Sequence, residues 1–540
     1  MTRSDWARAA SLGMAAWMSF VVATALGVDH AFWAAMPVWV VAQPWRGVTM
    51  ERALWRLVGT IVGGAAGLAL LAVSPSPWVT GIGMSALVAL GAALVHLWSG
   101  VRSYMPLMCA ITVGVVVVPA MLDPSAEITL ALDRLLCTLI GGLSIAVFVA
   151  PFTPHADKQS FRKAGADLAE RFIGTARLLL DADASDAQLD AAVAETVGQG
   201  AALEARARLV AAGSRDGYRR MAALDAILAA GLGLLEAATA ASEDPEQREL
   251  AIQALDTHAD RPEPTSAQAV FPAVVRLIEA QRALQIASED LQSVAPSGRD
   301  FRKLVPPNNP ALALRGALLA AAGGLVGSAL FILTGSFIGE LTAFSMVIFS
   351  LVLGSMPVPQ NIAPKLVIGV FAGASAGVLY RLGVQPFVTD WVTLVLGLLP
   401  FVAVGAIARA NPRTATYALD ANMCFMLASQ AGAAAAPLPV VLGSGAAMIG
   451  GTIAVVLCIM ALPRPGRGLI TKTEDRLIRD LNALSARREA VDPHRWSALW
   501  GRRILTLATA LETAGEGLPR QFFGLAGQGY QILGRHSKTG

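Results

Sequence analysis

The chain has 540 residues, 55% of them hydrophobic and only 15% charged, where soluble globular chains carry about 25% charged residues. Long apolar runs rather than one large core account for that balance, and a formal net charge of +3 offers no basic groove for nucleic acid. Cys109, Cys137, Cys424 and Cys458 lie far apart inside apolar runs, with no CxxC or Cys/His spacing, so neither a zinc site nor a disulfide is implied.

The N-terminal stretch MTRSDWARAA leads into an apolar run ending at Gly27. That run is longer than a signal-peptide core and further apolar segments follow at once, so it reads as an uncleaved span. A span needs about 20 apolar residues. The first part of the chain offers 9–27, 31–45, 55–73, 78–98, 104–122 and 134–151, the second of them short and carrying Pro37. Residues 152–309 are rich in charge. Apolar positions recur at helical spacing in DLAERFIGTARLLL (167–180) and VVRLIEAQRALQIASEDL (274–291), while DADASDAQ (181–188) and RPEPTSA (261–267) signal loops. A bundle of four or five helices is expected there. Six further spans follow at 313–334, 337–354, 366–381, 386–408, 414–431 and 440–462, and then a charged tail with one or two amphipathic helices and loose last residues. No GxxxxGK[ST] loop occurs, so ATP is not the direct energy source in this chain.

Basic residues give the orientation. Arg3, Arg8, Arg46, Arg52, Arg102, Lys158, Arg162 and Lys163 fall on one side, as do Arg302, Lys303, Lys365, Arg409, Arg413, Arg464, Arg467 and Lys472 in the second half. Only Arg381 lands on the other side. The expectation is an all-α membrane protein with both termini and the inserted helical domain in the cytoplasm. Its boundaries are 1–151 for the first six-span bundle, 152–309 for the helical domain, 310–463 for the second bundle and 464–540 for the tail. Gly59, Gly63 and Gly67 in the third span and Gly369, Gly373 and Gly377 in the ninth share one spacing, and each triplet clears one helix face for a neighbouring backbone. The same motif at the same ordinal span, after proline-marked segments (Pro37 and Pro44, Pro357 and Pro359), suggests two parallel repeats related by an axis along the membrane normal.

The segment FWAAMPVWVVAQPWRGVTMERALWRLVGTIVGG (32–64) carries Phe32–Trp33–Ala34, Gln43–Pro44, Arg56 and Gly59–Thr60. It resembles the signature region of the fusaric acid resistance (FUSC) or aromatic acid exporter family. RSYMPLMCAITVG (102–114), LALDRLLCTLIGG (130–142) and FILTGSFIGELTAF (331–344) resemble later parts of that family. The resemblance implies an inner-membrane efflux transporter for aromatic or heteroaromatic carboxylates, with no cofactor or metal. The lipid bilayer is its surroundings, and a periplasmic adaptor protein and a homo-oligomer are further expected partners. Export would use the membrane potential or a proton gradient, since expelling one negative charge from a negative interior gains about 2.3 kcal/mol per 100 mV. The alternatives are a passive anion channel and a membrane assembly protein acting through its helical domain. No catalytic constellation is visible.

Ionisable residues inside spans cost roughly 2.5–3.5 kcal/mol each and so need reasons. Asp420, beside Asn422, is either a proton-coupling carboxylate or a packing residue bonded to a neighbouring span. Arg134 matches the family pattern and would attract an anion, or else it pairs with adjacent Asp133 or reaches the head groups. Arg56 also matches, and a span-end role in the orientation rule explains it too. Glu340 near an outer span end pairs, exchanges protons or is hydrated. His30 is expected to be solvated in an outer loop. Trp39 stacks on a substrate ring or packs; Trp33, Trp78 and Trp98 fit interfacial anchoring.

Overall fold

The computed structural model describes residues 1–73, 76–121, 127–256, 264–293, 304–305, 309–463, 468–486, 492–514 and 516–539. Its helices begin with α1 (Arg3–Ala25), α2 (Met36–Val41), α3 (Arg46–Val73), α4 (Pro77–Leu97), α5 (Tyr104–Ala120) and α6 (Glu127–Ser144). Then come α7 (Lys158–Leu179), α8 (Asp186–Ala211), α9 (Arg215–Ala241), α10 (Pro245–Asp256) and α11 (Pro272–Gln292). A second apolar series holds α12 (Pro310–Thr334), α13 (Phe337–Gly354), α14 (Ala363–Gly383), α15 (Trp391–Ala410), α16 (Ala415–Ser429) and α17 (Leu438–Met460). The tail forms α18 (Gly468–Ser485), α19 (Pro493–Ala514) and α20 (Gln521–Thr539). No strand occurs among the described residues.

The chain divides into two compact units, Met1–His155 with Asn308–Arg464, and Ala156–Pro307 with Pro465–Gly540. Ten helices among the described residues are long and apolar enough to cross a membrane. Nine of them belong to the first unit. The tenth, α9, belongs to the second, where 72% of its most apolar window is buried inside the protein.

Three of the twelve expected spans depart from expectation. α1 is long but is not among the ten, with Arg3, Asp5 and Arg8 in its opening turns. The segment expected at 31–45 is a 3₁₀ turn (Ala31–Ala34) followed by the six-residue α2, because the 3₁₀ turn and Pro37 interrupt the helical ladder. α16 has 15 residues, about 22 Å of helix, against a hydrocarbon core of about 30 Å. The tail has three helices rather than one or two, and α20 runs to Thr539.

Glycine sets the packing of the first unit. A Cβ on Gly59 would lie 2.7 Å from the Met105 carbonyl, and one on Gly63 would strike the Cys109 carbonyl, so α3 lies directly against the backbone of α5. On α14, a Cβ on Gly369 would lie 2.5 Å from the Tyr417 carbonyl, and one on Gly373 would strike Ala421, so α14 lies against α16 in the same manner. Two further close crossings join the first apolar series to the second. α4 crosses α12, with Gly81 on Ser328 and Gly324 on Ser85. α15 crosses α1, where Gly13 meets Ala406 and the Trp17 indole N–H donates to the Val395 carbonyl at 2.9 Å.

The second unit is a helical bundle whose core draws on α7, α8, α9 and α11 and on the tail helices, including Phe172, Leu224, Trp500 and Phe522. Buried charges there are paired. Arg502 of α19 donates to both oxygens of Glu204 on α8 at 2.7 and 2.8 Å, and Arg208 reaches the same carboxylate. Glu236 accepts from Arg276 at 3.0 Å, with the Arg276 guanidinium 4.6 Å from the Tyr530 ring centre.

Candidate functional site

The interrupted segment 31–41 is buried in the first unit, with Phe32, Trp33 and Trp39 all nearly inaccessible. Gly141 of α6 lets it approach, because a Cβ there would lie 2.7 Å from the Ala34 carbonyl and 2.8 Å from the Pro37 ring. α3 and α6 meet beside it, with the Thr60 and Thr138 hydroxyls 3.5 Å apart.

Two arginines enter this region from those helices. Arg56 is 3% exposed and Arg134 4% exposed. α3 starts ten residues before Arg56, at Arg46, so Arg56 lies within a continuous helix. Arg56 donates through Nη1 to the Tyr104 hydroxyl at 3.1 Å and approaches the Met108 sulfur, while its Nε has no partner. Arg134 lies 5.4 Å from the centre of the Trp33 ring, and its Nε has no partner either. The two guanidinium groups are within electrostatic reach of each other. Among the described residues no carboxylate makes an ion pair with either.

The expected pairing of Arg134 with Asp133 does not form. Successive helical residues point about 100° apart, and Asp133 turns instead to His30, whose Nδ1 lies 2.9 Å from its Oδ2. His30 lies in the loop before the 3₁₀ turn with about a third of its side chain exposed (35%). It stacks on Trp33 with ring centres 4.5 Å apart, and its carbonyl accepts from the Cys137 thiol. Arg52, one helical turn before Arg56, lies 4.3 Å from the centre of the Tyr104 ring.

Other predicted residues sit apart. Asn422 donates to the Gly405 carbonyl at 3.0 Å and ties α16 to α15. Asp420 is half-buried with its Cβ against Gly369, in electrostatic reach of Arg409, which also feels Arg8 and Arg52. Glu340 is half-buried in the first turn of α13, where the helix dipole favours an acid. Trp39 is 1% exposed and its indole N–H has no partner.

Tyr104, Arg52 and His30 are site residues that spacing did not single out. So are the rings of Tyr380, Phe401 and Phe425, which pack together with ring centres 5.1 to 6.3 Å apart. Tyr380 and Phe425 share one apolar cluster with Trp33 and Trp39, and Phe401 packs against it. Among the orphaned buried atoms in and around that cluster are the donor N–H groups of Trp39, Arg56 and Arg134 and the Tyr380 hydroxyl. Donors in excess, fixed in low dielectric and flanked by aromatic faces, are complementary to an anion with an apolar body.

The fold defines a multi-pass, all-α membrane protein whose interior holds two buried arginines. The model of the fusaric acid resistance protein family matches residues 5–242 and 230–524. The chain belongs to that family, which is a family of membrane transporters. No curated protein and no solved structure matches it.

Proposed function

We propose that this protein exports small organic anions, aromatic or heteroaromatic carboxylates, across a bacterial inner membrane. Both termini lie in the cytoplasm, and the membrane potential, with or without proton antiport, drives the flux. The observation that carries this reading is the pair Arg56 and Arg134, buried without a carboxylate among indole and phenol rings. A lone buried charge costs several kcal/mol, and a cargo carboxylate supplies the missing partner while Trp33, Trp39 and Tyr104 receive its ring. The matching glycine contacts of α3 on α5 and α14 on α16, and the crossings of α4 on α12 and α15 on α1, support two parallel repeats with the path between them. A periplasmic adaptor and a homo-oligomer belong to the same proposal.

The test is release of radiolabelled picolinate (pyridine-2-carboxylate) from proteoliposomes under an imposed potential. The full chain is expected to release it several-fold faster than empty liposomes, and R134Q to lose at least tenfold in rate. Release no faster than from empty liposomes would end the export reading. Unitary conductance in a planar bilayer would replace it with a passive channel.

A further inference from the structure

Arg381, the cation that defies the orientation rule, is not solvated. It is 6% exposed. Its Nη1 makes one long contact, 3.5 Å to the Ser444 hydroxyl, and its Nε has no partner. Ser444 already donates to the Val441 carbonyl, so its oxygen is free to accept. Among the described residues no carboxylate pairs with Arg381, although Glu340 stands in the first turn of α13, which packs against α17.

Direction decides what the partner is. The end of α14 lies beside the start of α17, where a Cβ on Gly445 would meet Val378. Side chains lean toward the N-terminus of their own helix, so Arg381 leans away from that end and into the bundle. It reaches Ser444, six residues into α17, or about 9 Å below its start. A guanidinium seeking lipid phosphate would extend the other way. Arginine also keeps its charge in the interior, so neutralisation by proton loss is closed to it. Tyr380, the preceding residue, points about 100° away round α14 and belongs to the cluster of Trp33 and Trp39. α14 thus carries one polar residue toward the first site and the next toward α17.

We infer that Arg381, held in place by the Ser444 oxygen, forms a second anion site, a station for the cargo carboxylate in the second half, at the face where α14 ends. The inference takes from the export reading only that the cargo is a carboxylate.

The experiment is calorimetric titration of the full chain with picolinate, in delipidated detergent and in nanodiscs with and without phosphatidylglycerol. Two binding sites per chain are expected in all three. R381Q should leave one, with its Kd unchanged within twofold, and R134Q should leave the other. S444V should weaken the second site by about threefold. R381K, which keeps the charge, should retain two sites with the second weakened, and this carries the test should R381Q not yield monodisperse protein. One site in the unaltered chain, or two sites of unchanged affinity in R381Q, overturns the inference. A second site seen only without phosphatidylglycerol makes lipid phosphate the natural occupant and overturns the assignment to cargo. Failure of picolinate release from proteoliposomes alongside an intact two-site titration would sink export and not this site.

Discussion

Tyr104 is the residue through which the arginines of the first half communicate. Its ring lies under Arg52 and its hydroxyl accepts from Arg56. Y104F keeps the ring and removes the acceptor, leaving Arg56 with still fewer partners. A hydrogen bond to a charged group contributes about 1.5–3 kcal/mol, so the KM for picolinate release should shift by about tenfold or more while Arg52 stacking, and hence folding, persists. An unchanged KM would show that Arg56 is held by something else. Neighbours on α16 separate structure from transport. N422A deletes the donor to Gly405 and should lower stability by about 1 kcal/mol, read as a lower Tm in detergent. D420N touches no such bond and should leave Tm unaltered while abolishing any flux driven by a pH gradient alone. Retained pH-driven flux would remove Asp420 from coupling.

At the scale of helices, two close crossings depend on missing side chains. G63A places a methyl against the Cys109 carbonyl and G373A places one against Ala421, both backbone and unable to step aside. Overpacking of this kind costs about 1–3 kcal/mol, so both variants should melt earlier than the parent. G450A is the control, because nothing lies within 4 Å of its added carbon. Equal melting of all three would mean that the glycine faces do not bear the packing. Hydropathy located most of these helices but misjudged their lengths. It counted 31–45, short as it is, and 414–431 as spans, where the chain forms an interrupted segment and a 15-residue helix. Both are mainly apolar, and apolarity reports burial, not helix length. α9 makes the converse point, being apolar enough for a membrane and yet a core helix of the second unit.

Over the whole molecule, the inserted domain and the tail share one core, and Arg502 on Glu204 is the most buried of the ion pairs described between them, alongside Arg520 on Asp186. R502A leaves Glu204 buried with only Arg208. Breaking a buried pair costs about 3–5 kcal/mol, so limited proteolysis should cut within 156–307 faster in R502A than in the parent. Ending the chain after residue 464 should expose the same region further, since it strips Trp500 and Phe522 from that core. Proteolysis at parental rates in both variants would show that the insert folds without the tail.

The amino-acid order by itself determined a helical membrane protein, its family and the glycine faces, and it singled out Arg56 and Arg134 as charges that need a reason, because hydropathy, small-residue spacing and local motif are properties of neighbouring residues. Tertiary structure alone decided which charges are paired. Asp133 adjoins Arg134 in sequence yet serves His30, 103 residues away, and Arg381 meets Ser444 across 63 residues. A helix turns each successive side chain to a new face, so the partner of a buried charge is chosen by whichever helix lies opposite, and that choice exists only once the bundle has assembled.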